Sequence, residues 1–132
     1  LAAAGPVAAT GAPVQAAVDH PCHLLHGQRL ADPPARVLAA IGGLRATELP
    51  DAATCCGSAG LYSLAQPEFS RTLLAPKLAT IAASGAPTVC TGNPGCMMHI
   101  GAGLARAGSH VDVRHPVELL DAAYARDAAG RV

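Results

Sequence analysis

The sequence has no tryptophan, and Tyr62, Phe69 and Tyr124 are its only aromatic side chains. Apolar residues still make up 51% of the 132, and alanine is the largest part of them. A thin core under closely approaching helices follows. Charge is also in short supply: nine basic residues balance nine acidic ones. Eight of the nine basic residues are arginines, scattered without a polybasic run. That argues against nucleic acid or an anionic membrane as the main partner. No apolar stretch approaches the ~18–20 residues of a membrane helix, so direct membrane insertion is not expected. The opening stretch lacks the basic start of a signal peptide, and Gly5, Pro6, Gly11 and Pro13 punctuate it. Residues 1–13 read as a linker, and 128–132 as a tail. The chain starts with Leu1 rather than Met and reads as a piece of a longer polypeptide. No internal repeat is visible.

Five cysteines are the exception to this plainness. The number is odd, two are adjacent, and nothing suggests secretion. Metal binding or redox chemistry is therefore a stronger reading than a disulfide framework.

Residues 14–127 read as one domain. A short apolar run, Val14 to Asp19, is the first expected strand, followed by a helix-like stretch from Cys22 to Leu30. Pro33 and Pro34 interrupt the pattern before a helix over 35–41. Further strands are expected over 45–49, 87–91 and 111–114. Between them, Pro67 opens a helix that Gly85 ends, with Phe69, Leu73, Leu74, Leu78 and Ile81 on its inner face. Pro94 opens a helix through Leu104. Pro116 starts the last helix, with Val117, Leu120 and Tyr124 facing inward. Alternating strands and helices predict an α/β fold, a parallel sheet of about four strands with helices on both faces.

On this outline Cys22, Cys55, Cys56 and Cys96 each follow a strand and converge on the carboxyl edge, where such folds build their sites. Cys22 and Cys96 fall at helix starts, where unpaired N–H groups lower a thiol pKa. Gly57 and Gly60 would let the backbone approach a bulky cofactor. Two neighbouring residues of an ordinary strand point to opposite faces, so Cys55 and Cys56 are awkward as two core residues. Cys90, inside a strand, reads as a packed core thiol. His99 follows Cys96 by three residues on the same helix face. It is either a further ligand, a donor to one, or a polar group at the mouth of the site. His20 and His23 flank Cys22 and could donate to the site; His115 and His110 read as strand-end and turn residues.

The order Cys22, Cys55-Cys56-Gly57, Cys96 resembles the cysteine-rich CCG domain of iron–sulfur oxidoreductases. Within that family the likeness is to the C-terminal repeat of glycolate oxidase iron–sulfur subunits. It rests on residues 19–30, 49–62, 91–99 and 113–120. The resemblance implies an iron–sulfur cluster, of the 4Fe-4S type, held by Cys22, Cys55, Cys56 and Cys96. It implies electron transfer from a flavin-containing oxidase subunit, which converts glycolate to glyoxylate, towards a quinone or another acceptor. A first CCG repeat and a ferredoxin-like domain would be further partners, in the cytoplasm or at the inner face of its membrane. The domain alone would perform no substrate chemistry. Family members that end their motif in Cys-x-x-Cys differ from Cys96-Met-Met-His99 here. Three other readings stay open. One is a lactate-utilisation or heterodisulfide reductase-like subunit. Another is a docking module closed by zinc on the same four thiolates. The third is a thiol–disulfide enzyme using Cys55 and Cys56.

Overall fold

A computed structural model describes residues 13–30 and 32–129. The expected linker, apart from its last residue, and positions 130–132 of the expected tail lie outside them. Strands β1 (Val14–Asp19), β2 (Leu44–Glu48), β3 (Thr88–Thr91) and β4 (Asp112–Arg114) form one sheet in the order β2-β1-β3-β4. Every pairing is parallel, with Val18 opposite both Glu48 and Cys90. Successive connections leave β1 in opposite directions. The strand order therefore reverses between β1 and β3, the position where open α/β sheets form a crevice.

Helices cover both faces. On one side lie α3 (Pro67–Ser84) and α4 (Pro94–Arg106), packing Leu74, Ile81, Ile100 and Leu104 onto Ala17 and Val89. On the other lie α1 (Asp32–Ala39) and α5 (Pro116–Ala129), packing Val37, Leu38, Leu120 and Ala123 onto Ala16, Val18 and Cys90. Small side chains in β1 let helices approach from both sides, which suits an interior with no buried aromatic residue.

Local structure departs from the sequence expectations at identifiable places. Pro33 and Pro34 belong to the first turn of α1 rather than interrupting it, since a first turn needs no N–H from them. After Cys22 the chain makes one π-helical turn, His23–Gly27, instead of a helix to Leu30. A short helix α2 (Tyr62–Ala65) precedes α3. The inner stripe of α3 is Ser70, Leu74, Lys77 and Ile81, with Leu78 partly buried. Phe69 and Leu73 point outward, 54% and 38% exposed, and Tyr62 meets the Phe69 ring edge-on. The stripe is rotated because Ser70 and Lys77 have polar partners inside. In α5 the buried positions are Pro116, Leu120 and Ala123, while Val117 and Tyr124 are largely exposed. Its start is fixed by a reciprocal cap. The His115 N–H donates to Glu118 Oε2 at 2.7 Å, and Val117 N–H donates to His115 Nδ1 at 3.2 Å. His115 is thus a helix-capping residue.

Candidate metal centre

Each ligand candidate reaches the carboxyl edge by its own device. Cys22 sits three residues beyond the end of β1 and begins the π-helical turn. Cys55 and Cys56 lie on the loop from β2 to α2. Cys96 is the third residue of α4, whose N-cap is Asn93; the Asn93 side chain accepts from Cys96 N–H at 3.0 Å. The four thiols share one cleft of about 290 Å³, walled also by His23, Ser58, Ala59, Gly60 and Asn93. Cys22 Sγ and Cys55 Sγ are 3.9 Å apart. Cys56 and Cys96 form a second hydrogen-bonded pair. All four are free thiols. Among the described residues no three His, Cys, Asp or Glu side chains are gathered for a single ion. A larger cleft, about 430 Å³ beside β2 and α3, is lined by Arg45, Thr47, Thr80 and Ser84 among others and by no thiol. Chemistry rather than size places the site.

The proton distribution differs from the expectation for helix-start thiols. Cys96 donates to Cys56 and draws the Cys56 pKa down to about 7, against its burial. Cys96 is raised by that same bond and then by burial. Burial first, and the Cys55 thiol next, push Cys22 up. Burial at Cys22, and the bond to Cys56 followed by burial at Cys96, outweigh the helix ends. The lowered thiol is on the loop.

The two glycines have different surroundings. Gly57 has φ +85°, and a Cβ there would lie 2.6 Å from Ser70 O, so it lets the loop approach α3 closely. Gly60, with φ +61°, faces open space and is required by its left-handed backbone. Gly57 N–H donates to Cys55 Sγ at 3.3 Å, and a polarised sulfur of this kind is part of how cluster ligands are tuned.

His99 does not line the cleft. Ser70 Oγ donates to Gly57 O at 2.6 Å and lies 3.0 Å from His99 Nε2. The Ser70 proton is committed to Gly57, so Nε2 carries the imidazole proton and donates to Ser70. Burial holds His99 below its ordinary pKa, which agrees with a neutral ring. The relay ties α4 through α3 to the Cys-Cys-Gly loop. His23 Nδ1 lies 3.4 Å from Asn93 Nδ2, and His20 Nε2 lies 3.0 Å from Glu48 Oε1. Cys90 is fully buried on the α1/α5 side, across the sheet from Cys56 and Cys96. Burial pushes its thiol up to about 12.

Sequence reasoning missed Ser70, Asn93, Asp19 and Lys77. Asn93-Pro94 was readable as an N-cap followed by an N1 proline. Ser70 carried no sequence signal. Lys77 carried one: it is the single lysine beside eight arginines.

The chain is a parallel α/β domain that brings four free thiols from three strand ends to one cleft at its carboxyl edge. The model of the cysteine-rich CCG domain family matches residues 16–101, and the chain belongs to that family. It is 34% identical over 103 residues to "Lactate utilization protein A" of Oceanobacillus iheyensis, covering 77% of this chain and 42% of that protein. It is 36% identical over 107 residues to "Glycolate oxidase iron-sulfur subunit" of Escherichia coli, covering 81% and 25%. It is 37% identical over 108 residues to one subunit of the fumarate reductase (CoM/CoB) of Methanothermobacter marburgensis, covering 81% and 22%. The chain thus spans less than half the length of these relatives. Among the described residues no helix is long and apolar enough to cross a membrane.

Proposed function

We propose that Cys22, Cys55, Cys56 and Cys96 hold an iron–sulfur cluster of the 4Fe-4S type, and that the chain is the electron-carrying part of a 2-hydroxy-acid oxidoreductase. The observation that carries this reading is the cleft itself: four free thiols, from three strand ends, around one space of about 290 Å³. The donor set fits the group, since four cysteine thiolates are the usual ligands of such clusters. A single zinc would draw all four sulfurs to ~2.3 Å from one centre. Four thiols lining a cleft of about 290 Å³ leave room for a larger group. When bound, the cluster supplies one-electron storage. The protein's own part is to present the sulfurs, donate Gly57 N–H to Cys55, and wall the site with small residues.

Glycolate is the substrate proposed for the whole complex, oxidised by a flavin-containing partner and with a quinone or other acceptor downstream. The names of the relatives from Escherichia coli and Oceanobacillus iheyensis support the substrate class. The test uses the complete polypeptide that carries this domain, purified without oxygen together with its flavin-containing partner. Glycolate should bleach the visible absorption of the cluster. Bleaching by lactate but not glycolate would move the assignment to the lactate branch. No bleaching by either would overturn the 2-hydroxy-acid reading.

A further inference from the structure

The chain's single lysine is one of its most deeply buried side chains. Lys77, on α3, is 1% exposed. Lysine is almost never buried without a partner. Its Nζ meets Asp19 Oδ1 at 2.8 Å and donates to the backbone oxygen of Asp51, with Asp51 Oδ2 at 3.6 Å. Asp19 Oδ1 has no further hydrogen-bond donor, so the ammonium is what answers its charge. Asp19 Oδ2 accepts from Thr91 Oγ1 at 3.0 Å. Asp19 ends β1, three residues before Cys22. Asp51 follows β2, four residues before Cys55. Thr91 ends β3, five residues before Cys96. One ionic knot therefore touches all three segments that carry the thiols, and its fourth member comes from α3, which packs against the Cys-Cys-Gly loop. Packing alone would not call for this: a buried ion pair is often no more stabilising than an apolar replacement of its own volume.

We propose that Lys77 is a positioning residue for the cysteine site, clamping the ends of β1, β3 and the β2 loop through Asp19, Thr91 and Asp51 so that the four sulfurs are held in register. The proposal rests on the reading that these four cysteines form one site, and it concerns the chain before and after loading.

Cys90 supplies the internal control. It shares strand β3 with Thr91 but is buried in the opposite layer. General destabilisation exposes all five thiols in step, whereas release of the clamp frees four of them. The experiment labels the complete, metal-free polypeptide with iodoacetamide under native conditions and maps each cysteine by peptide mass. The main variant is Lys77→Met with Asp19→Asn, which removes the fully buried charge pair and leaves only the Asp51 carboxylate, whose side chain is 23% exposed. Labelling of Cys22, Cys55, Cys56 and Cys96 should rise roughly tenfold relative to Cys90, the scale of losing one buried tie. A second variant, Thr91→Val, keeps the volume and removes only the bond to β3. It should loosen Cys96 more than Cys22 or Cys55. Parallel rises at all five cysteines, or no change at the four, would overturn the proposal. Loss of iron from the reconstituted protein to a chelator gives a second reading and should accelerate in the double variant. If the parent takes up no iron while the labelling pattern follows Lys77, the cluster assignment fails and the clamp stands. If the parent loads iron and neither labelling nor iron loss responds, the clamp alone fails.

Discussion

Cys22 and Cys55 are 33 positions apart in sequence, yet their Sγ atoms lie 3.9 Å apart, because β1 and β2 are adjacent and parallel and both chains turn at the same sheet edge. The connection is first of all topological: strand order alone brings the two segments to the same edge. What the rest of the site adds is the second pair, Cys56 with Cys96, and the hydrogen bonds that fix the loop between them.

Cys90 should behave as core. Its thiol is raised from 9.0 to about 12, so the fold favours the neutral form. That stabilising share is complete below pH 9 and is lost as pH rises towards 12. At pH 8 Cys90 should resist iodoacetamide while Cys56, drawn to about 7, reacts. Cys90→Ala should cost ~1–2 kcal/mol of stability without changing metal content. Thermal melting and metal analysis of this variant check both halves.

Gly57 and Gly60 should differ in tolerance although both have positive φ. Gly57→Ala drives a Cβ against Ser70 O in addition to straining the backbone, and should cost on the order of 3 kcal/mol or more. Gly60→Ala meets only the backbone penalty, about 1–2 kcal/mol. Denaturant unfolding of the two variants gives the comparison, and equal costs would refute the close approach to α3.

The relay from His99 through Ser70 to Gly57 should be acid-sensitive. Burial lowers the His99 pKa from 6.5, so the neutral ring is the one the fold prefers. Its stabilising share is present above pH 6.5 and is lost as pH falls through the lower folded value. His99→Gln keeps a donor for Ser70 and removes the titration. The drop in melting temperature between pH 7 and pH 5 should therefore be smaller in this variant than in the parent. Ser70→Ala leaves Gly57 O and the imidazole N–H unpaired in a buried place and should cost ~1–3 kcal/mol at pH 7.

The sheet and the convergence of the cysteines were legible in the sequence because both depend on strand order and turn punctuation. Val14 to Asp19 carries its strand signal in a short, mostly apolar run, and Pro67 and Gly85 mark the ends of α3. The inner face of α3 was not legible. Counting apolar residues selects Phe69 and Leu73, whereas the buried stripe contains a serine and a lysine whose partners come from other strands. The thiol protonation escaped for a similar reason. A helix start lowers one isolated thiol, but in a four-thiol cleft the outcome depends on which thiol donates to which. The relay through His99 was out of reach as well, because its middle member, Ser70, has no distinguishing neighbour in sequence.

The most direct test of the central claim is iron and acid-labile sulfide per chain after anaerobic reconstitution, measured in the parent and in five single cysteine-to-serine variants. The account predicts a brown parent with broad visible charge-transfer absorption. Iron should be lost in Cys22→Ser, Cys55→Ser, Cys56→Ser and Cys96→Ser and retained in Cys90→Ser. One zinc per chain with no uptake of iron, or a cluster that survives Cys56→Ser and fails in Cys90→Ser, would contradict it.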